Sequence, residues 1–131
     1  MLSTALAHEN IHAKARTTYS AILMWHDVVE TTKEVWFDVT RNEIEAQFKL
    51  IHDGGFNVIP LEKLYDHLVN GTDLPKKPIV ITFDDNTLGI YQIAYPLLKK
   101  YKFPATMFVH TNYAGKKTVK DHCTWEQLRE M

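Results

Sequence analysis

The chain has 131 residues, of which 45% are hydrophobic, and a formal net charge of −1. That is enough for one domain with a real core and not for two. The near-neutral balance offers no electrostatic footprint for nucleic acid, the single cysteine, Cys123, excludes an intrachain disulfide framework, and no apolar run approaches a membrane span.

Met1 to His8 has neither a basic stretch nor a sustained apolar one, so it does not read as a signal peptide. Residues 1–20 read as a tail or short helix. Ala21-Ile22-Leu23-Met24-Trp25 is a short apolar run and the first strand, ending at His26-Asp27. Residues 30–39 form a loop carrying Trp36 and Phe37. Trp25, Trp36 and Phe37 could stack on a ligand's ring, although core packing is the plainer reading. Thr40-Arg41-Asn42-Glu43 has the form of a capping box, and Ile44, Phe48 and Ile51 then recur at helical spacing until Gly54-Gly55 stops the helix. Residues 56–59 make a second strand. Pro60 opens another helix, with Leu61, Leu64, Tyr65 and Leu68 on one face and Gly71 at its end. His52 and His67 are expected on exposed helix faces. A third strand covers residues 79–83. The helical stretch from about 88 to 102 must break or restart at Pro96, which lacks the N–H. A fourth strand covers 105–109 and ends at His110. Thr124-Trp125-Glu126-Gln127 is a second capping-box pattern. Alternating strands and helices in this order imply a parallel α/β sheet, either doubly wound or part of a barrel.

The chemistry concentrates after the third strand. Ile79-Val80-Ile81-Thr82-Phe83 leads into Asp84-Asp85-Asn86. A buried strand thus delivers two adjacent carboxylates to its carboxyl end, where ligands gather in α/β folds. Two carboxylates so close repel unless a metal ion or a shared proton relieves them. One can hold an ion while the other moves protons. The bland alternative is a loop that carries Asp-Asp, or an aspartate capping a helix. Cys123 has no nucleophile context and receives no role.

Ile81-Thr82-Phe83-Asp84-Asp85 resembles the first motif of the polysaccharide deacetylases, the NodB-homology group. Tyr95 to Tyr101 and Phe103 to Val109 resemble the helix and strand that follow it. Thr124 to Leu128 resembles a later helix, and Ile22 to Asp27 resembles the opening strand of the poly-N-acetylglucosamine deacetylase branch. The resemblance implies the first four βα units of a distorted (β/α) barrel of about seven strands, spanning residues 21–131. It implies hydrolysis of N-acetyl groups on an amino-sugar polymer such as poly-N-acetylglucosamine, chitin or peptidoglycan. It further implies Asp84 as general base, Asp85 as a metal ligand and His26 as general acid. The cofactor would be a divalent ion, zinc with cobalt or nickel as alternatives, and the place of work extracytoplasmic or the cell envelope.

Three departures stand out. Asn86 replaces the usual glycine, although asparagine tolerates left-handed backbone. His110-Thr111-Asn112-Tyr113-Ala114 imitates the family's His-x-x-x-His ligand segment, but it ends in alanine and follows a strand directly, so it reads as a false match. The last capped helix reaches Met131 after about two turns, against a typical three. The chain therefore reads as a truncated domain whose histidine ligands lie elsewhere. Two other readings stand beside the enzyme: a non-catalytic remnant with an incomplete metal site, and a phospho-acceptor signalling domain. The latter also uses an acidic pair at a strand end, but normally after its first strand.

Overall fold

The computed structural model describes His12, Ala15 and residues 17–131, so the expected tail lies largely outside the described residues. Strand β1 (Ala21–Trp25) pairs in parallel with β5 (Pro78–Asp84), register Ala21 to Ile79 and Trp25 to Phe83. Strand β4 (Asn57–Val58) pairs in parallel with residues 78 and 79 of β5, and β6 (Thr106–Phe108) with residues 82–84. A strand has two edges, and β1 runs along one of them over residues 79–83. The short strands β4 and β6 therefore share the other edge, end to end. The first and third strands read from the sequence are direct neighbours, and the second is only two residues long.

The loop expected over residues 30–39 is tied at its base. Strand β2 (Val28–Val29) pairs in parallel with β3 (Val39–Thr40) as a separate two-stranded sheet. Helix α1 (Arg41–Asp53) starts on the expected capping box: Thr40 Oγ1 accepts from the Glu43 N–H at 3.3 Å, and Glu43 Oε2 accepts from the Thr40 N–H at 2.8 Å. Its buried stripe is Ile44, Phe48 and Ile51, as the spacing indicates.

Helix α2 (Leu61–Asn70) corrects the expected face. Leu64 is buried, but Tyr65 is 61% exposed, while His67, expected outside, is 4% exposed. The His67 ring reaches the carbonyl of Thr72, Nδ1 to O 2.6 Å, and this contact folds the chain back after Gly71, whose φ of 71° ends the helix. A hydrophobic count sees Tyr65 and Leu68 as core candidates; it does not see a histidine recruited to close a turn.

The stretch after β5 resolves the problem posed by Pro96. A π-helical turn (Ile90–Ala94), in which the Tyr95 N–H reaches the carbonyl of Ile90, runs into helix α3 (Tyr95–Tyr101). The change of hydrogen-bond register puts Pro96 in the first turn of a restarted helix, where its missing N–H is tolerated. Gly89 precedes this turn. A Cβ there would lie 1.9 Å from the carbonyl oxygen of Val28 and 2.8 Å from Asp27 Oδ1, so only glycine lets β2 pass this close. Helix α4 (Trp125–Glu130) begins on the second capping box, Thr124 with Gln127.

The core lies on one face of the sheet. Trp25, Ile79, Ile81 and Phe83 point there and pack against Ile44, Phe48 and Ile51 of α1 and Ile90, Ile93 and Leu97 beyond β5. Trp25 stacks on Phe83 with centroids 5.7 Å apart and meets Phe48 edge-on. Val80, on the opposite face, packs with Ile59 and Leu64 in a smaller cluster.

Candidate active site

Because β1, β5 and β6 run parallel, their carboxyl ends share one edge. His26 follows the last residue of β1, Asp84 ends β5, and His110 lies two residues past β6. The edge therefore gathers the residues singled out in the sequence. It does not place them in one hollow. Asp84, Asp85 and His110 line a trough of about 760 Å³ whose floor includes Ile22, Met24 and Phe108. His26 lines a separate groove with Trp36 and Phe37, and Met24 borders both.

Two left-handed residues turn the chain at the acidic pair: Asp85 at φ 68° and Asn86 at φ 44°. This is the conformation that the usual glycine would take freely and that asparagine adopts more readily than most side chains. Asn86 adds something that glycine could not. It is fully buried and its side-chain Oδ1 accepts from the His110 N–H at 2.6 Å, while its main-chain carbonyl, which glycine would also offer, accepts from the Cys123 N–H at 2.9 Å. One residue thus fastens the end of β5 to the end of β6 and to the loop before α4. Its Nδ2 has no hydrogen-bond partner among the described residues.

His110 also stacks on Tyr113, centroids 4.0 Å apart and planes 7° from parallel, and Tyr113 touches His122. Residues 111–113 form a 3₁₀ turn, not an α-helix, so positions 110 and 114 never make a helical ligand pair. Cys123 is buried, with Sγ 3.3 Å from the Thr87 carbonyl, and burial pushes its thiol above the ordinary value.

Beneath the edge lies a charged network that no sequence pattern announced. Lys120 Nζ donates to Asp27 Oδ2 at 2.6 Å and to Asp38 Oδ1 at 2.7 Å. Asp27 Oδ1 accepts from Thr87 Oγ1 at 2.6 Å and from the Val28 N–H at 2.8 Å. Asp38 Oδ2 accepts from the N–H groups of Glu34 and Val35. Burial pushes the Asp38 carboxyl up, but these hydrogen bonds and the Lys120 charge outweigh it and leave the group below the usual carboxylate range. Burial lowers Lys120, and its two carboxylate partners more than restore it, so it sits above its ordinary value. The network binds the residue after His26, the residue after Asn86, the loop that carries Trp36, and the segment before α4. Asp27 beside a strand end was a visible hint; Lys120, 93 residues away, was not.

Among the described residues, no group of three or more His, Cys, Asp or Glu side chains could hold a metal ion. The donors around the trough are two carboxylates and one imidazole, and that imidazole is stacked on Tyr113. As they stand they do not fit the full coordination shell of a zinc-type ion.

A family model described as polysaccharide deacetylase matches residues 71–131. A Bacillus subtilis protein named as a polysaccharide deacetylase, YxkH, is 36% identical over 110 residues, covering 84% of this chain and 37% of that protein. The poly-beta-1,6-N-acetyl-D-glucosamine N-deacetylase of Staphylococcus aureus is 33% identical over 97 residues, covering 72% of this chain and 33% of that enzyme. The solved structure of IcaB from Ammonifex degensii superposes with a TM-score of 0.77 at 30% identity, covering 85% of this chain and 47% of that one. The chain belongs to the polysaccharide deacetylase family, with NodB homology. It spans about a third of the curated relatives it matches.

Proposed function

We propose that residues 21–131 contribute the carboxylate-bearing part of a metal-dependent deacetylase that removes N-acetyl groups from an amino-sugar polymer such as poly-N-acetylglucosamine, chitin or peptidoglycan. The observation that carries this reading is the Asp84–Asp85 pair at the carboxyl end of β5, lining an open trough on the edge that also bears His26.

Asp84 is the base that takes the proton of the attacking water. Asp85 is an anionic ligand for a divalent ion, zinc, cobalt or nickel, with further ligands from outside the described residues. Such an ion would supply Lewis-acid polarisation of the acetyl carbonyl. His26 protonates the departing amine, leaving acetate and a free amino sugar. The family resemblance carries with it an extracytoplasmic or cell-envelope place of work. No described helix is long and apolar enough to cross a membrane. Family membership argues against a phospho-acceptor role. The incomplete donor set favours a second reading for the chain by itself: alone, it releases little or no acetate.

The test joins this chain to the remaining length of the Bacillus subtilis relative and measures metal content beside acetate release from N-acetylglucosamine oligomers. Asp85→Asn should lose the metal. Asp84→Asn and His26→Ala should keep it and lose about 10²- to 10⁴-fold in turnover. If Asp84→Asn loses metal and Asp85→Asn keeps it, the roles are reversed. A folded, metal-loaded chimera without turnover would refute the reading.

A further inference from the structure

Trp36 is 90% exposed, an unusual condition for the largest apolar side chain. It does not stand on a loose loop. Asp38, buried two residues on, holds the turn from inside through the N–H groups of Glu34 and Val35, and Lys120 anchors Asp38 in turn. The indole is therefore displayed on a clamped turn. It meets Phe37 edge-on at 5.4 Å, and Phe37 lies 5.1 Å from the His26 ring.

These rings wall a groove of about 470 Å³ whose polar side is Lys33, Glu43 and Gln47. Lys33 and Glu43 form an ion pair at 2.7 Å, and Gln47 Oε1 accepts from the Trp25 indole N–H at 2.8 Å. Gln47 is thereby oriented with its N–H₂ end as the donor left for a ligand. An aromatic face opposite fixed donors and acceptors suits a pyranose ring, which offers an apolar C–H face and a rim of hydroxyl and amide groups.

We propose that Trp36 and Phe37 form a sugar-binding subsite that seats a neighbouring ring of an N-acetylated amino-sugar chain beside His26. This rests on the deacetylase reading for the identity of the sugar, not for the existence of the site. Binding here would lay the polymer across Met24 toward Asp84 and Asp85, since Met24 borders both hollows.

The three tryptophans supply the test. In the ¹⁵N-labelled 131-residue chain, the indole N–H signals are followed during titration with β-1,4- and β-1,6-linked N-acetylglucosamine tetramers. The Trp36 signal should shift with either tetramer. Trp25 should follow through Gln47, and Trp125, on α4 and outside the groove, should stay still. Trp36→Ala should weaken binding by about tenfold or more, with the Trp125 signal unchanged as proof of fold. A Trp36 signal unmoved by both tetramers, or Trp36→Ala binding as tightly as the parent, would overturn the proposal. Acetate release from the chimera reports on the enzyme separately. Sugar-dependent Trp36 shifts without acetate release would keep the subsite and sink the deacetylase; acetate release with KM unaltered by Trp36→Ala would do the reverse.

Discussion

The two faces of strand β1 differ sharply. Leu23 and Trp25 face the core, with Trp25 stacked on Phe83, while Ile22 and Met24, one residue away on the other face, are 54% and 58% exposed. Alternation in a strand makes such a division available. On the first face, α1 and α3 supply a continuous apolar layer. On the second, the side chains lead to Asp84 and Asp85, and part of that face is the floor of the trough. The sheet thus divides its labour: one face carries the main core, and the other carries a smaller cluster and the trough to which the proposed chemistry belongs. Substitutions on the two faces should separate stability from function.

The largest expected effect is on the core face. Phe83→Ala removes a buried core ring stacked on Trp25 and should cost about 3–5 kcal/mol by urea denaturation. A loss near 1 kcal/mol would mean that the core has collapsed around the gap or is not as described.

Next comes the charged network that pins the edge. Lys120→Met leaves Asp27 and Asp38 buried against each other and should cost about 3 kcal/mol. Its pH dependence has a definite sign. Asp38 is held below its ordinary value, so its contribution is complete above the unfolded carboxylate range and is lost as pH falls through the lower folded value. Lys120 is held above its ordinary value, so its contribution is complete below the unfolded lysine range and is lost as pH rises through the higher folded value. Stability from the network should therefore be level between about pH 5 and about pH 10. Asp38→Asn should flatten the acid limb of a plot of stability against pH; an unchanged limb would show that other carboxylates set it.

The smallest effect belongs to the open face. Met24→Ser should change stability by no more than about 0.5 kcal/mol, because the side chain is already largely in water. A loss like that of Phe83→Ala would erase the distinction between the faces.

Much of this arrangement was legible in the sequence, for reasons that are local. The two capping boxes at Thr40 and Thr124 use residues three apart, and both form. The buried run before Asp84 makes the central strand, and parallel alternation brings His26, Asp84 and His110 to one edge. What failed to show depends on distant partners. His67 is buried because it caps the turn at Thr72, which periodicity on α2 does not register. Trp36 was weighed as core, yet the turn held by Asp38 and Lys120 puts it in solvent, whereas Trp25 packs inside as expected. Asn86 looked like a tolerated substitute in a turn; its clamp on His110 depends on a residue 24 positions on.

The division between faces is tested most directly by Asp84→Asn in the chimera, assayed for acetate release after its urea denaturation curve has been matched to the parent. Asp84 lies at the partly exposed end of β5, so the substitution should leave stability within about 0.5 kcal/mol while turnover falls by about 10²- to 10⁴-fold. Full acetate release from a well-folded Asp84→Asn protein would contradict the account.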